Sequence, residues 1–260
     1  MNNKLGILLA TLLTTASYSV YAQEAAQAQE TPVIYTADNI FLDNETGKML
    51  NKSTQDPITG VVRAYENERL RAEASFVEGV QNGPAKEYFG NGHIYQESNY
   101  SNGIFDGPFK EYDEAGNIKK EAFFKNGKLE GTAKDYYNNG KVRQESNYTD
   151  GKLNGSFKEY DQEGNIKKEA SFNMSQLNGI AKEYFPNNIL KKESPYTDGN
   201  LNGVSKEYYQ NGNLKKETPY VAGKPEGVFK EYDDAGHLKK EATFKDGQLD
   251  GMVKEYDAGG

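Results

Sequence analysis

Residues Gly107–Glu130 read GPFKEYDEAGNIKKEAFFKNGKLE. Two turn signals divide the stretch. Ala115-Gly116 lies near its middle and Asn126-Gly127 near its end. Glycine after a small or Asx residue, between short runs of aromatic and β-branched residues, is a strong local hairpin signal. The runs hold five to seven residues, too short for helices. Glycines this dense would cost about 1 kcal/mol each inside a helix. The stretch therefore predicts one antiparallel hairpin.

The same pattern recurs every 24 residues. Its first glycine returns at Gly83, Gly107, Gly131, Gly155, Gly179, Gly203, Gly227 and Gly251, and an earlier copy opens at Gly60, one residue short of register. A period of this length marks a solenoid or array. With each glycine taken as column 1, column 4 is Lys in all eight copies, from Lys86 to Lys254. Column 6 is Tyr in all eight: Tyr88, Tyr112, Tyr136, Tyr160, Tyr184, Tyr208, Tyr232 and Tyr256. Column 5 is Glu, except Asp135, and column 15 is Glu wherever a copy reaches it. The predicted fold is all-β: an elongated antiparallel hairpin meander or solenoid, one hairpin per repeat. About 16–18 strands at roughly 4.8 Å each would span about 75–85 Å.

The charges suggest a register. If columns 2–7 pair with 12–17 around a four-residue loop, column 4 Lys faces column 15 Glu, and column 5 Glu faces column 14. Each such pair contributes roughly 0.2–1 kcal/mol. That register puts columns 3, 7, 12, 16 and 18 on an apolar face and columns 4, 6, 13, 15 and 17 on the other. Columns 3 and 7 trade volume. Phe157 goes with Asp161 and Phe229 with Asp233, but Ala133 goes with Tyr137 and Ser205 with Tyr209. The trade is expected if both fill one packing layer. A flat sheet cannot bury one apolar row per hairpin, so the strip must curl, dimerise or meet a partner.

Composition sets the outer limits. Phe, Leu, Ile and Val make up only 49 of 260 residues, with a net charge of −8, which borders on disorder. The 19 Tyr and the column order argue for a thin repetitive sheet instead. Residues 1–22, MNNKLGILLATLLTTASYSVYA, read as a signal peptide cleaved after Ala22. Residues 23–57 then form a spacer and an N-terminal cap, with a strand pair expected within Val33 to Leu50. Residues 58–260 form the array. The expected location is periplasmic, cell-envelope or secreted. No cysteine is present, which excludes disulfides and thiolate metal sites.

The motif G-x-[AF]-K-E-Y-[YFD]-x-x-G-x-[IL]-K-K-E-x-x-[YF]-x-[DN]-G-x-L-[NDE] resembles the MORN-type repeat. It is most similar to the MORN_2 variant of bacterial YwqK-family antitoxin-like proteins, over Gly60 to Gly260. The resemblance implies a β-hairpin scaffold that binds proteins or lipids. It also implies a toxin partner. An intracellular antitoxin would not be exported, so the toxin-neutralising alternative is an immunity protein against an exported toxin. Tyr112–Ile118 and Tyr232–Leu238 also resemble the YD repeat of large bacterial shell-forming proteins.

No one-off constellation marks a catalytic, cofactor or metal site. His93 and His237 both fall in column 11, a turn column. The Asp113–Asn117 and Asp161–Asn165 loops read as Asx-turns rather than calcium loops. The Lys pairs of columns 13 and 14, such as Lys167-Lys168, read as charge-paired sheet surface with the two Lys on opposite faces. An anionic-lipid site is the alternative. The acidic chain disfavours nucleic acid. The column 6 Tyr row is the candidate interaction strip, because Tyr suits interfaces. Cross-strand stacking that stiffens the sheet is the competing reading. The function expected is an exported, non-enzymatic scaffold that binds a protein, glycan or cell-surface partner along this strip.

Overall fold

The structure is a computed structural model that describes residues 32–257. The expected leader (1–22) and most of the spacer lie outside those residues. Two compact units divide the chain, one ending at Lys128 and the other beginning at Leu129. Both are mostly antiparallel meanders of short strands, and the described residues contain no α-helix. One 3-10 turn spans Pro186–Asn188.

Each copy is one hairpin, with two turns of different chemistry. The second turn is a two-residue turn with both central residues left-handed, as at Asn126 (φ 49°) and Gly127 (φ 76°). This is the type I′ turn that matches strand twist, and it explains the Asn-Gly and Asp-Gly pairs. Met174 (φ 46°) and Ser175 (φ 71°) adopt it without glycine. The first turn is a three-residue loop. Gly116 N–H donates to the Asp113 carbonyl at 3.0 Å, and Asp113 N–H to the Asn117 carbonyl at 2.9 Å.

The register agrees with the charge reading at its centre and departs from it near the first turn. Lys110 stands opposite Glu121 and Glu111 opposite Lys120. Tyr112 then stands opposite Ile118 rather than Lys119, because a bulge leaves Lys119 without a partner across the strand. The same shift recurs at Tyr136, Tyr160, Tyr184, Tyr208 and Tyr232. A bulge seats two residues against one and changes which way side chains point. Column 12 therefore moves to the face of column 6, and column 13 joins columns 5 and 7. The expected placement of columns 12 and 13 is corrected on that ground.

The apolar residues are buried by stacking of the second turns. Gly103 N–H donates to the Gln81 carbonyl (2.8 Å) and Gly127 N–H to that of Phe105 (2.8 Å). In the second unit, Gly199 donates to Leu177 and Gly223 to Leu201, both at 2.8 Å. Each turn thus sits on the start of the strand one copy earlier. That draws columns 3, 16 and 18 inside. Column 16 carries small residues and is the most deeply buried: Ser98, Ala122, Ser146, Ser194, Thr218 and Ala242 are all buried, Ser146 to 1% exposure. Around it pack the rings of columns 3 and 18, as Phe109 on Phe124 (5.7 Å between centroids) and Phe157 on Phe172 (6.0 Å).

The first unit carries a true cap. Ile40–Leu42 pairs with Met49–Asn51, and Ile34–Thr36 lies parallel to the strand that begins at Gly60. Ile40, Met49 and Ile58 join Ala74, Phe76, Ala85 and Tyr100 in one buried cluster. The cap docks on the second turn of the copy that opens at Gly60: Met49 N–H donates to the Gly79 carbonyl and Gly79 N–H to that of Ile58, each at 2.8 Å. A side chain at Gly79 would meet the Met49 carbonyl at 2.8 Å, so close approach and φ of +77° both require glycine.

Candidate interaction surface

The face that carries columns 4, 6 and 15 is a hydrogen-bonded ladder. Strands rise in register, so column 15 of one copy lies between column 4 of the same copy and column 4 of the next. Glu97 is opposite Lys86 on one side and Lys110 on the other. Ion pairs follow at Lys86–Glu97 (3.0 Å), Lys110–Glu121 (3.2 Å) and Lys182–Glu169 (3.3 Å). Arg63 takes the lysine place in the first copy, at 3.3 Å from Glu73.

Column 6 completes the ladder. Six Tyr hydroxyls donate to the column 15 carboxylate of the preceding copy. The distances are 2.9 Å for Tyr88 to Glu73, 2.7 Å for Tyr112 to Glu97 and 3.5 Å for Tyr160 to Glu145. They are 2.6 Å for Tyr184 to Glu169, 2.8 Å for Tyr208 to Glu193 and 3.1 Å for Tyr232 to Glu217. Tyr136, also in column 6, stands opposite Val142 of column 12, and Tyr256 is exposed beyond the last full copy. Within each unit these six Tyr thus lie along one face, half-buried and with their hydroxyls engaged.

The electrostatics follow from that bonding. Desolvation, then the carboxylate bond, pushes Tyr88, Tyr112, Tyr184 and Tyr208 up to about 12. Tyr160 and Tyr232 are raised for the same reasons. In return, the Tyr112 and Tyr184 hydroxyls hold Glu97 and Glu169 below the usual carboxylate value.

In the second unit the ladder face also exposes apolar side chains. Ile180 (53% exposed), Val204 (43%) and Val228 (44%) occupy column 2, beside Pro195 and Pro219 of column 17. Proline is tolerated there because column 17 lies at the second register shift of each copy, where its carbonyl accepts and no ladder donor is needed.

The opposite face holds the lysine pairs, and both members point to it. Column 13 reaches column 5 of its own hairpin: Lys119–Glu111 is 3.6 Å and Lys167–Glu159 is 2.8 Å. Column 14 reaches column 5 of the next: Lys192–Glu207 is 3.5 Å and Lys240–Glu255 is 3.6 Å. The expectation that the pair straddles the sheet is corrected by the bulge. Other lysines lie over rings, Lys215 at 5.4 Å from the Tyr209 centroid and Lys191 at 5.7 Å from that of Phe185.

Sequence reading did not find the clasp between successive first turns. The Tyr137 hydroxyl donates to the Tyr160 carbonyl (2.7 Å) and Tyr209 to Tyr232 (2.8 Å). Asn139 and Asn211 side chains donate to the carbonyls of Gln162 (2.9 Å) and Asp234 (2.7 Å). Of the column 7 aromatics, Tyr137 and Tyr209 carry the hydroxyl for this clasp, while Phe89 and Phe185 do not. The Asp loops close on themselves: Asp113 accepts from the N–H groups of Ala115 and Asn117, both at 2.9 Å. Those bonds hold Asp113 and Asp161 below the usual range, the Asn117 and Asn165 side chains first. His93 bonds the Glu114 carbonyl (2.7 Å) and His237 bonds Asp233 (3.1 Å). Among the described residues no group of three or more His, Asp or Glu has metal-binding geometry.

Seven consecutive segments match the family model of the MORN repeat variant, MORN_2: residues 81–102, 105–126, 129–150, 153–174, 177–198, 201–222 and 225–246. The chain belongs to the MORN repeat variant family. Each matched segment runs from column 23 to column 20, so one MORN_2 unit is one complete hairpin with its first turn. MORN repeats are generic modules, common in binding and scaffold proteins and generally non-enzymatic. Comparison with curated proteins gives no match.

Proposed function

We propose that this MORN_2 array is an exported, non-enzymatic scaffold that binds a protein or cell-surface partner along its ladder face. The observation that carries the reading is the exposed column 2 row, Ile180, Val204 and Val228, set beside a rigid Tyr–Glu–Lys ladder. The ladder's polar groups are already paired with one another, which lowers the cost of covering them. The apolar row then supplies the surface gained on contact. Export rests on the leader-like residues 1–22.

The test is capture from envelope and culture-supernatant fractions with the chain from Gln23 onward as bait. The same capture is run with a Val204→Lys/Val228→Lys double variant and with Lys191→Glu/Lys215→Glu on the opposite face. The reading expects a partner held by the parent chain and the Glu variant but lost by the Lys variant. Equal capture by all three baits, or loss only with the Glu variant, contradicts it.

A further inference from the structure

The repeat frame is broken once in the first unit, and the break opens a groove. The copy that begins at Gly60 is one residue short, and the structure places the missing residue in its first turn. Asn67 (φ 49°) and Glu68 (φ 66°) form a two-residue turn where later copies have three-residue loops. The neighbouring loop has its own exception. Column 8 is Glu114, Asn138, Gln162, Pro186, Gln210, Asp234 and Ala258 in the later copies but Gly90 in the copy that begins at Gly83. The short turn and the absent side chain leave a groove of about 530 Å³ lined by Arg69, Leu70, Tyr88, Gly90, Asn91 and Gly92. That volume is in the range of small-molecule sites, roughly 300–1,000 Å³.

One guanidinium group, that of Arg69, lines it, and that of Arg71 lies beside Gly90. Arg69 Nη1 donates to the Gly90 carbonyl at 2.9 Å. Arg71 Nη1 lies 3.2 Å from where a Cβ at position 90 would be. Three of the chain's four arginines, Arg63, Arg69 and Arg71, fall in this one copy, although lysine is the cation of the array. Arginine's planar fork matches a carboxylate where lysine offers a point charge. Arg71 is paired with Glu66 at 3.4 Å. The bond that holds Arg69 is to a neutral carbonyl and leaves its charge to a ligand. Leu70 and Tyr88 supply the apolar part of the lining. The Asn91 amide is already spent, donating to the Glu114 carbonyl (3.0 Å) and accepting from His93 N–H (2.9 Å).

We propose that this groove binds a small carboxylate-bearing ligand of sugar-acid size. Arg69 takes the carboxylate, and Leu70 and Tyr88 face the sugar ring. The site is separate from the column 2 row of the second unit.

The test is calorimetric titration of the full chain with glucuronate, with glucose and succinate as comparison probes. Two variants are titrated beside it, Arg69→Gln and Gly90→Gln. The second variant puts in column 8 the residue that other copies carry there, and Gly90 has no left-handed φ to forbid it. Circular dichroism checks that both variants keep the fold. Glucuronate should bind, and both variants should bind about tenfold more weakly or worse, as loss of one charged hydrogen-bond pair implies. Affinity unchanged in both variants overturns the proposal. So does glucose binding as well as glucuronate, succinate binding more tightly, or no glucuronate binding in the millimolar range.

Discussion

Tyr184→Phe tests the ladder at its shortest rung. The hydroxyl donates to Glu169 at 2.6 Å, and Lys182 holds the same carboxylate at 3.3 Å. A hydrogen bond to a charged group contributes roughly 1.5–3 kcal/mol net when buried. The Glu169 side chain is 26% exposed, so screening reduces that to about 1 kcal/mol. The pH dependence is set by both partners. Desolvation and the Glu169 bond raise Tyr184 from 10.0 to about 12, so its contribution is complete below pH 10 and lost as pH rises through about 12. The Tyr184 bond holds Glu169 below 4.5, so that contribution is complete above 4.5 and lost as pH falls through the depressed value. Urea unfolding of parent and variant, repeated across pH, should show a stability difference of about 1 kcal/mol on a neutral plateau that shrinks at both ends. A difference that stays flat with pH, or a tyrosinate titration lacking the component near 12, refutes the assignment of the rung.

Three further changes probe other parts of the frame. Ser175→Gly relieves a left-handed non-glycine residue (φ 71°) and should stabilise the chain by about 1 kcal/mol in urea unfolding. Ser146→Leu places a larger side chain in the column 16 position that is 1% exposed, and should cost about 1–3 kcal/mol by overpacking. Asn211→Ala removes the donor to Asp234 and the acceptor for Asn213 N–H (3.0 Å), at a cost of about 1 kcal/mol, with faster hydrogen exchange confined to the first turns of those two copies.

The turns were the most legible part of the sequence. Asn126-Gly127 and Asp198-Gly199 name their own geometry, because few residues accept two left-handed positions in a row. The Lys–Glu pairing of columns 4 and 15 was legible too, since opposite charges at fixed spacing imply a register. The bulge at column 13 was not. Lys119 and Lys167 carry no glycine or proline signal, and the shift comes from joining a three-residue loop to a fixed central register. That single residue decides which face holds the lysines. Turn stacking was also hidden, because Gly199 and Leu177 meet through backbone groups that every residue has. The low aliphatic content therefore suggested a strip in need of a cover, although small column 16 residues let the stacked turns bury the rings themselves. The groove at Gly90 was illegible because it arises from a missing residue in one copy and a missing side chain in the next.

The central claim is that the ladder face carries the partner. The natural chain has no cysteine, so single thiols can report on each face. Val204→Cys places one on the ladder face and Lys215→Cys one on the lysine face. Alkylation rates are measured with and without the captured partner bound. The thiol at position 204 should be protected by the partner while the one at 215 reacts at its free rate. Protection at 215 alone, or at neither position, contradicts it.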